Sequence, residues 1–216
     1  MKYKLAIFDM DGTVLFTLQD LKDTMNAALA MHHMPLRTTE EVKAFVGNGI
    51  HKLVERAVPE GTSENTIEEV FKDFNIYYKD HCNDHTCPYD GIPTLMEQLR
   101  DAGMHCAVVS NKADYAVQQL DDKYFKGLLD LGVGEKEGIH RKPAPDMVEL
   151  VLQQLGVEKE DAVYIGDSEV DVMTGKNAGM DVISVLWGYR TKEQLLEAGA
   201  KVMVKDIKEL ESVLLG

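Results

Sequence analysis

Lys4-Leu5-Ala6-Ile7-Phe8-Asp9-Met10-Asp11-Gly12-Thr13 decides how the rest of the chain is read. A short apolar run stops abruptly on two carboxylates at i, i+2 and a glycine. Such a run, bounded by turn residues, reads as a buried strand that ends in a polar loop. Working outward, runs of the same kind recur at Met104–Val109, Ala162–Ile165, Val182–Leu186 and Lys201–Val204. They predict five strands buried on both faces, as parallel strands under helices are. Helical periodicity fills the gaps, at Ile92–Ala102, Ala113–Leu120, Pro145–Leu155, Glu169–Ala178, Lys192–Ala198 and Ile207–Leu215. The alternation predicts an α/β fold, a parallel sheet with helices on both faces.

One stretch breaks the alternation. From Leu18 to His85 no strand pattern is found. Leu18, Leu21, Met25, Ala28 and Leu29 recur at helical spacing, Thr38 with Glu41 reads as a capping box, and Ile67, Val70, Phe71, Phe74 and Tyr77 form another apolar stripe. The expectation is an all-helical unit, residues 16–85, inserted into a core made of residues 1–15 and 86–216. Its linkers would lie near Leu15–Leu18 and Asn83–Tyr89 and act together as a hinge.

Composition sets outer bounds. The chain has 216 residues, 44% apolar and 28% charged, with a formal net charge of −14. A surface so acidic repels nucleic acid and anionic lipid, so neither is expected as a partner. No apolar run approaches the ~20 residues that cross a bilayer. The N-terminal apolar stretch is too short for a signal peptide. Three cysteines, Cys82, Cys87 and Cys106, are too few and too odd in number for a disulfide framework. The expected setting is the cytoplasm. Monomer and dimer both stay open.

The chemistry gathers at the expected strand ends. Asp9 and Asp11 follow the first strand, Ser110-Asn111 the second, and Gly166-Asp167-Ser168 the third, with Asp171 one helical turn on. Taken singly, each has an ordinary reading: a solvated acidic turn, a helix cap, a polar loop. Lys142, in Arg141-Lys142-Pro143-Ala144-Pro145-Asp146, is by itself an ordinary surface charge on a stiff segment. Taken together they describe phosphoryl transfer, because ligands of parallel sheets bind beyond the carboxyl ends of the strands. Aspartates hold a hard cation through oxygen, as Mg²⁺ prefers. The cation and one lysine offset the charge of a phosphate, and Ser110, Asn111 and backbone N–H groups of the Asp9–Gly12 turn can hold its remaining oxygens. A carboxylate can attack phosphorus while a second one moves a proton. His81-Cys82-Asn83-Asp84-His85-Thr86-Cys87 has spacing too loose for a zinc site and reads as a solvated linker. Gly132-Val133-Gly134 is too short for a dinucleotide fingerprint.

The set Asp9-x-Asp11-Gly12-Thr13, Ser110-Asn111, Lys142 and Gly166-Asp167-x-x-x-Asp171 resembles the four motifs of the haloacid dehalogenase superfamily, in the correct order over nearly the whole chain. The resemblance implies a Rossmann-like core with a helical cap inserted after the first motif. It implies Asp9 as nucleophile and Mg²⁺ ligand. Asp11 would be the general acid/base, with its backbone carbonyl on the metal, and Thr13 would orient Asp11. Ser110 and Lys142 would hold the phosphoryl group, Asp167 would be a metal ligand, and Asp171 a ligand or its neighbour.

Asn26-Ala27-Ala28-Leu29, Val46-Gly47-Asn48-Gly49, Pro88-Tyr89-Asp90-Gly91 and Trp187-Gly188-Tyr189-Arg190 are similar to the phosphoglycolate phosphatase-like subgroup. There the turn Gly47, Asn48, Gly49 would meet the substrate's non-phosphate end; a plain helix–helix turn is the equal alternative. Phe16 stands where the family has an acidic hinge residue. The implied activity is hydrolysis of a small phosphorylated metabolite. A phosphomutase or a pyrophosphatase on the same scaffold, and a receiver-type phospho-acceptor module, are the alternatives.

Overall fold

The structure is a computed structural model and describes residues 2–216. In chain order it runs β1 (Leu5–Phe8), β2 (Leu15–Phe16), α1 (Leu18–Met31), α2 (Thr39–Phe45), α3 (Ile50–Ala57), α4 (Glu64–His81), β3 (Cys87–Pro88), α5 (Ile92–Asp101), β4 (His105–Ala113), α6 (Asp114–Tyr124), β5 (Leu131–Glu135), α7 (Asp146–Leu155), β6 (Ala162–Gly166), α8 (Glu169–Ala178), β7 (Asp181–Val185), α9 (Lys192–Glu197), β8 (Val202–Val204) and α10 (Ile207–Leu215). The main sheet has six strands in the order β5-β4-β1-β6-β7-β8, with all its pairings parallel. This is an α/β, Rossmann-like core.

The two faces of the sheet follow from period-2 alternation. Ala6, Phe8, Val108, Val163, Ile165 and Ile183 pack with Leu95 and Leu99 of α5, Leu120 of α6 and Leu210 of α10. Leu5, Ile7, Ala107, Val109 and Tyr164 pack on the other face with Met147, Val148 and Val151 of α7. With β1 fourth from one edge and third from the other, its carboxyl end is flanked by the ends of β4 and β6.

Compared with the five expected strands, the sheet has one more, β5. Its pattern is masked by Gly132 and Gly134, which supply no side chain to read. The glycines are there because α6 starts directly against this edge strand: a Cβ on Gly134 would lie 2.5 Å from the Asp114 Cα. Strand β4 also runs further than expected. Ser110, Asn111 and Lys112 stay extended past a register shift and reach the Ala113–Glu135 pair.

The chain divides into a core, formed by the segment ending at Leu15 together with Pro88–Gly216, and a helical unit, Phe16–Cys87. The chain passes between them through β2 and β3, which form a two-stranded sheet. The second boundary falls two residues later than the sequence suggested. Asp20, buried in α1, explains why: its carboxylate accepts from His85 N at 2.9 Å, Thr86 N at 2.8 Å and Thr86 Oγ1 at 2.7 Å, tying that segment to the helices. Inside the helical unit the Thr38–Glu41 capping box is formed, and α1 packs along α4.

Candidate active site

The Asp9–Thr13 turn begins where β1 leaves the sheet. Asp9 N still donates to Ile165 O at 2.8 Å, and the next residues coil tightly as Val14 N and Leu15 N both bond Met10 O. Gly12 takes φ 87° here, and a Cβ on it would stand 2.5 Å from an Asp167 oxygen. The glycine therefore lets the turn approach Asp167 closely. Gly188, behind β7, does the same from the other side: its Cβ would fall 2.2 Å from the Asp167 Cβ.

These approaches bring distant carboxylates together. Asp9, Asp167 and Asp171 are all buried, and each offers an oxygen within 4.8 Å of the other two. Among the described residues this is the one group of metal-ligating side chains so clustered. His81, in the segment whose spacing is too loose for zinc, bonds Asp84 at 2.7 Å and stacks on Tyr77.

The three carboxylates differ in what they have left to offer. Asp171 Oδ1 accepts from Lys142 Nζ at 2.8 Å and Tyr164 Oη at 3.2 Å. Its Oδ2 accepts from Ser168 Oγ at 2.6 Å, Ser168 N at 3.0 Å and Asp167 N at 3.2 Å. Five donors fill the roughly four lone-pair positions of a carboxylate. Asp167 accepts one bond on each oxygen, from Thr13 Oγ1 at 3.2 Å and Tyr189 N at 2.6 Å. Asp9 accepts Lys142 Nζ at 2.7 Å on one oxygen. Asp9 and Asp167 thus retain room for a cation.

The electrostatics show a cluster short of positive charge. Burial, with Asp171 beside it, raises the Asp9 pKa to about 7 despite the Lys142 ammonium. Burial and the neighbouring carboxylates likewise hold Asp167 well above the carboxylate range. For Lys142, burial favours loss of the proton, but Asp171 and Asp9 outweigh it and hold the ammonium far above its usual range.

Lys142 is held from every direction. Its Nζ bonds Asp9, Asp171 and the Tyr164 hydroxyl, the last at 3.0 Å. Its backbone is clamped by Asn111, whose amide oxygen accepts Lys142 N at 2.8 Å and whose amide nitrogen donates to Lys142 O at 3.0 Å. Asn111, expected to meet the substrate, has both ends of its amide engaged in placing Lys142. Ser110 is buried, and its oxygen accepts from Lys112 N at 3.3 Å, which leaves the hydroxyl proton for another acceptor.

At Asp11 the backbone carbonyl is the expected metal contact, and the side chain is free of the carboxylate group, but the expected part of Thr13 changes. The Asp11 carboxylate stands outside the Asp9–Asp167–Asp171 group and is gripped by Lys112 Nζ, at 2.8 Å and 3.1 Å to its two oxygens. Thr13, expected to orient Asp11, spends its hydroxyl on Asp167, while its carbonyl accepts Trp187 Nε1 at 3.0 Å. Sequence reasoning missed Lys112, Tyr164 and the backbone N–H of Tyr189. The available signal was position: Lys112 follows Ser110-Asn111 directly, and Tyr164 lies on the strand that ends at Asp167.

Gly47, Asn48 and Gly49 lie in the helical unit between α2 and α3, with Gly49 at φ 81° on the N-terminus of α3. Phe16 lies in β2 with its ring partly exposed. No helix among the described residues is long and apolar enough to cross a membrane.

Comparison with known proteins agrees with this geometry. The profile of the haloacid dehalogenase-like hydrolase family matches residues 6–185. The phosphoglycolate phosphatase of Aquifex aeolicus is 31% identical over 187 residues, covering 86% of each chain. The N-acetylmuramic acid 6-phosphate phosphatase of Pseudomonas aeruginosa is 30% identical over 223 residues, covering 99% of this chain and 96% of that one. A crystal structure from Lactobacillus delbrueckii subsp. bulgaricus, provisionally named a phosphoglycolate phosphatase, superposes over the full length of both chains with a TM-score of 0.95 and 41% identity. The chain belongs to the haloacid dehalogenase-like hydrolase family and is, within it, a phosphatase similar to the phosphoglycolate phosphatases.

Proposed function

We propose that the chain hydrolyses a small phosphate monoester of the phosphoglycolate type through an Asp9-phosphate intermediate, with Mg²⁺ as cofactor. The observation that carries this reading is the buried Asp9 carboxylate. It sits at the end of a central strand, 2.7 Å from the Lys142 ammonium and within reach of Asp167.

The residues fit a magnesium ion. Four aspartates against the ammoniums of Lys112 and Lys142 leave two negative charges, which one divalent ion cancels. Asp9 and Asp167 would hold it, with the Asp11 carbonyl. Asp171, saturated by five donors, would support Lys142 and Asp167 from behind. When bound, the ion neutralises phosphoryl oxygens and lowers the repulsion between substrate and carboxylates.

The chain's own groups then divide the chemistry. One Asp9 oxygen attacks phosphorus as the bond to the alcohol oxygen breaks. Lys142 and the Ser110 hydroxyl hold the phosphoryl oxygens in place. Asp11 delivers a proton to the departing oxygen. It then takes one from the water that attacks phosphorus, and Asp9 is released with inorganic phosphate. Gly47, Asn48 and Gly49 would select the non-phosphate end of the substrate, through backbone N–H groups. Hydrolysis rather than mutase chemistry is favoured because Ile50 and His51, not a serine–arginine pair, follow Gly49. Membership of the family sets the receiver alternative aside. Three free cysteines suit a reducing, cytoplasmic setting.

The test is a steady-state screen of phosphorylated metabolites: 2-phosphoglycolate, sugar phosphates including N-acetylmuramic acid 6-phosphate, and pyrophosphate. Asp9→Asn is the blank. Turnover of one or more monoesters, lost by at least about three decades in Asp9→Asn, is expected. Residual activity above about 1% in that variant would exclude covalent catalysis by Asp9. Chelation is expected to abolish turnover, with Mg²⁺ restoring it and Ca²⁺, which takes more ligands at longer distance, failing to.

A further inference from the structure

Lys112 enters the roles just given only as a charge, yet it contacts both Asp11 and Ser110. Its side chain is 1% exposed, an unusual position for an ammonium, and it reaches across from β4 to the β1 turn. There it donates to both oxygens of Asp11, at 2.8 Å and 3.1 Å. Thr13, the residue expected to orient Asp11, is committed to Asp167. The backbone N–H of Lys112 meanwhile supports the Ser110 oxygen.

The geometry has a chemical consequence. Two contacts to one buried ammonium fix the plane of the Asp11 carboxylate and the directions in which its oxygens point. We propose that Lys112 is the positioning residue of the acid/base group: by holding one Asp11 oxygen it aims the other at the leaving oxygen of the substrate. This rests on the phosphatase reading above and on Asp11 as the proton donor.

A general acid matters in proportion to how badly the departing oxygen needs a proton. The experiment therefore compares 2-phosphoglycolate, a poor leaving group, with 4-nitrophenyl phosphate, a good one, in the Mg²⁺-loaded wild type, Lys112→Met, Lys112→Arg, Asp11→Asn and the double variant. Lys112→Met is expected to lose roughly 30- to 100-fold in kcat on 2-phosphoglycolate, the size of effect that follows misplacement by about an ångström. On the nitrophenyl ester it should lose about 3-fold or less, with KM within about 2-fold on both. Lys112→Arg should recover most of the loss. In the Asp11→Asn background, Lys112→Met should cost nothing more, since the group it aims is gone.

Equal losses on both esters, a change confined to KM, or an additive loss in the double variant would each overturn the proposal and leave Lys112 as a structural ion-pair partner or a substrate contact. Should Lys112→Met not fold, the comparison of Asp11→Asn with the neutral-pair double variant decides alone. Failure of the underlying reading looks different: a wild type inactive on every ester, or an Asp11→Asn enzyme at full rate on 2-phosphoglycolate. In either case the proposal falls with it.

Discussion

Replacing Asp11 by Asn removes the carboxylate that holds the buried Lys112 ammonium at 2.8 Å, so this variant bears on stability as well as on chemistry. Leaving a buried charge without its counter-charge is costly, and Asp11→Asn should lower unfolding free energy by about 2–3 kcal/mol. Adding Lys112→Met should recover more than half of it, a comparison that denaturant melts can make; an Asp11→Asn melt equal to wild type would contradict the pairing. A second expectation concerns Asp9. Its pKa is raised to about 7 in the fold, from 3.8 in an ordinary chain. A raised value means stability that is full below the unfolded pKa and is lost as pH rises through the folded one. Metal-free protein should therefore melt lower at pH 8 than at pH 5.5 on this group's account. Mg²⁺, which competes with that proton, should raise Tm more at pH 8 than at pH 5.5. Equal Mg²⁺-induced shifts at the two pH values would contradict it.

That Asp9, Asp167 and Lys142 would come together was legible in their joint placement at strand ends and on a rigid proline segment, though not in any one of them alone. The partners of Asp11, Thr13 and Asn111 are far away in sequence, and they depend on how the end of β4 meets the loops after β1, before α7 and after β6.

Among the elements, α1 carries the feature that settles where the inserted unit ends. Asp20 gathers both backbone N–H groups of His85 and Thr86 together with the Thr86 hydroxyl. Replacing it by Ala strands two backbone donors, at roughly 1–3 kcal/mol each if no water replaces the carboxylate. Asp20→Ala should speed amide exchange at His85 and Thr86 by at least about tenfold, while exchange in β1 and β6 stays unchanged. Protection lost evenly across the core would mean that Asp20 does more than anchor this segment. Sequence periodicity found the helices and the central strands, because apolar side chains repeat at the element's own period. It missed β5, where glycines that make way for α6 erase the pattern, and it ended β4 early, where Ser110, Asn111 and Lys112 look like a loop but are buried polar strand. The boundary at Thr86 and Cys87 is hidden for a different reason: an anchor sixty-odd residues away leaves no local trace.

For the molecule as a whole, a net charge of −14 opposes the approach of a dianionic ester. At fixed free Mg²⁺, raising inert salt from about 10 to about 150 mM shortens the Debye length from about 30 to about 8 Å. The value of kcat/KM for such an ester should therefore rise, and a steep fall would show that the local field of the site, not the global charge, governs encounter. The paired strands Leu15–Phe16 and Cys87–Pro88 have a further consequence. Because the helical unit departs and returns through adjacent backbone, its two ends are already juxtaposed, and the entropy of closing it as a loop is met within the insert itself. A module with the same end spacing should therefore replace it without unfolding the sheet, which a thermal melt of the exchanged chain would check. The scaffold is in that sense a socket, with one paired-strand junction at which the insert leaves and rejoins the chain.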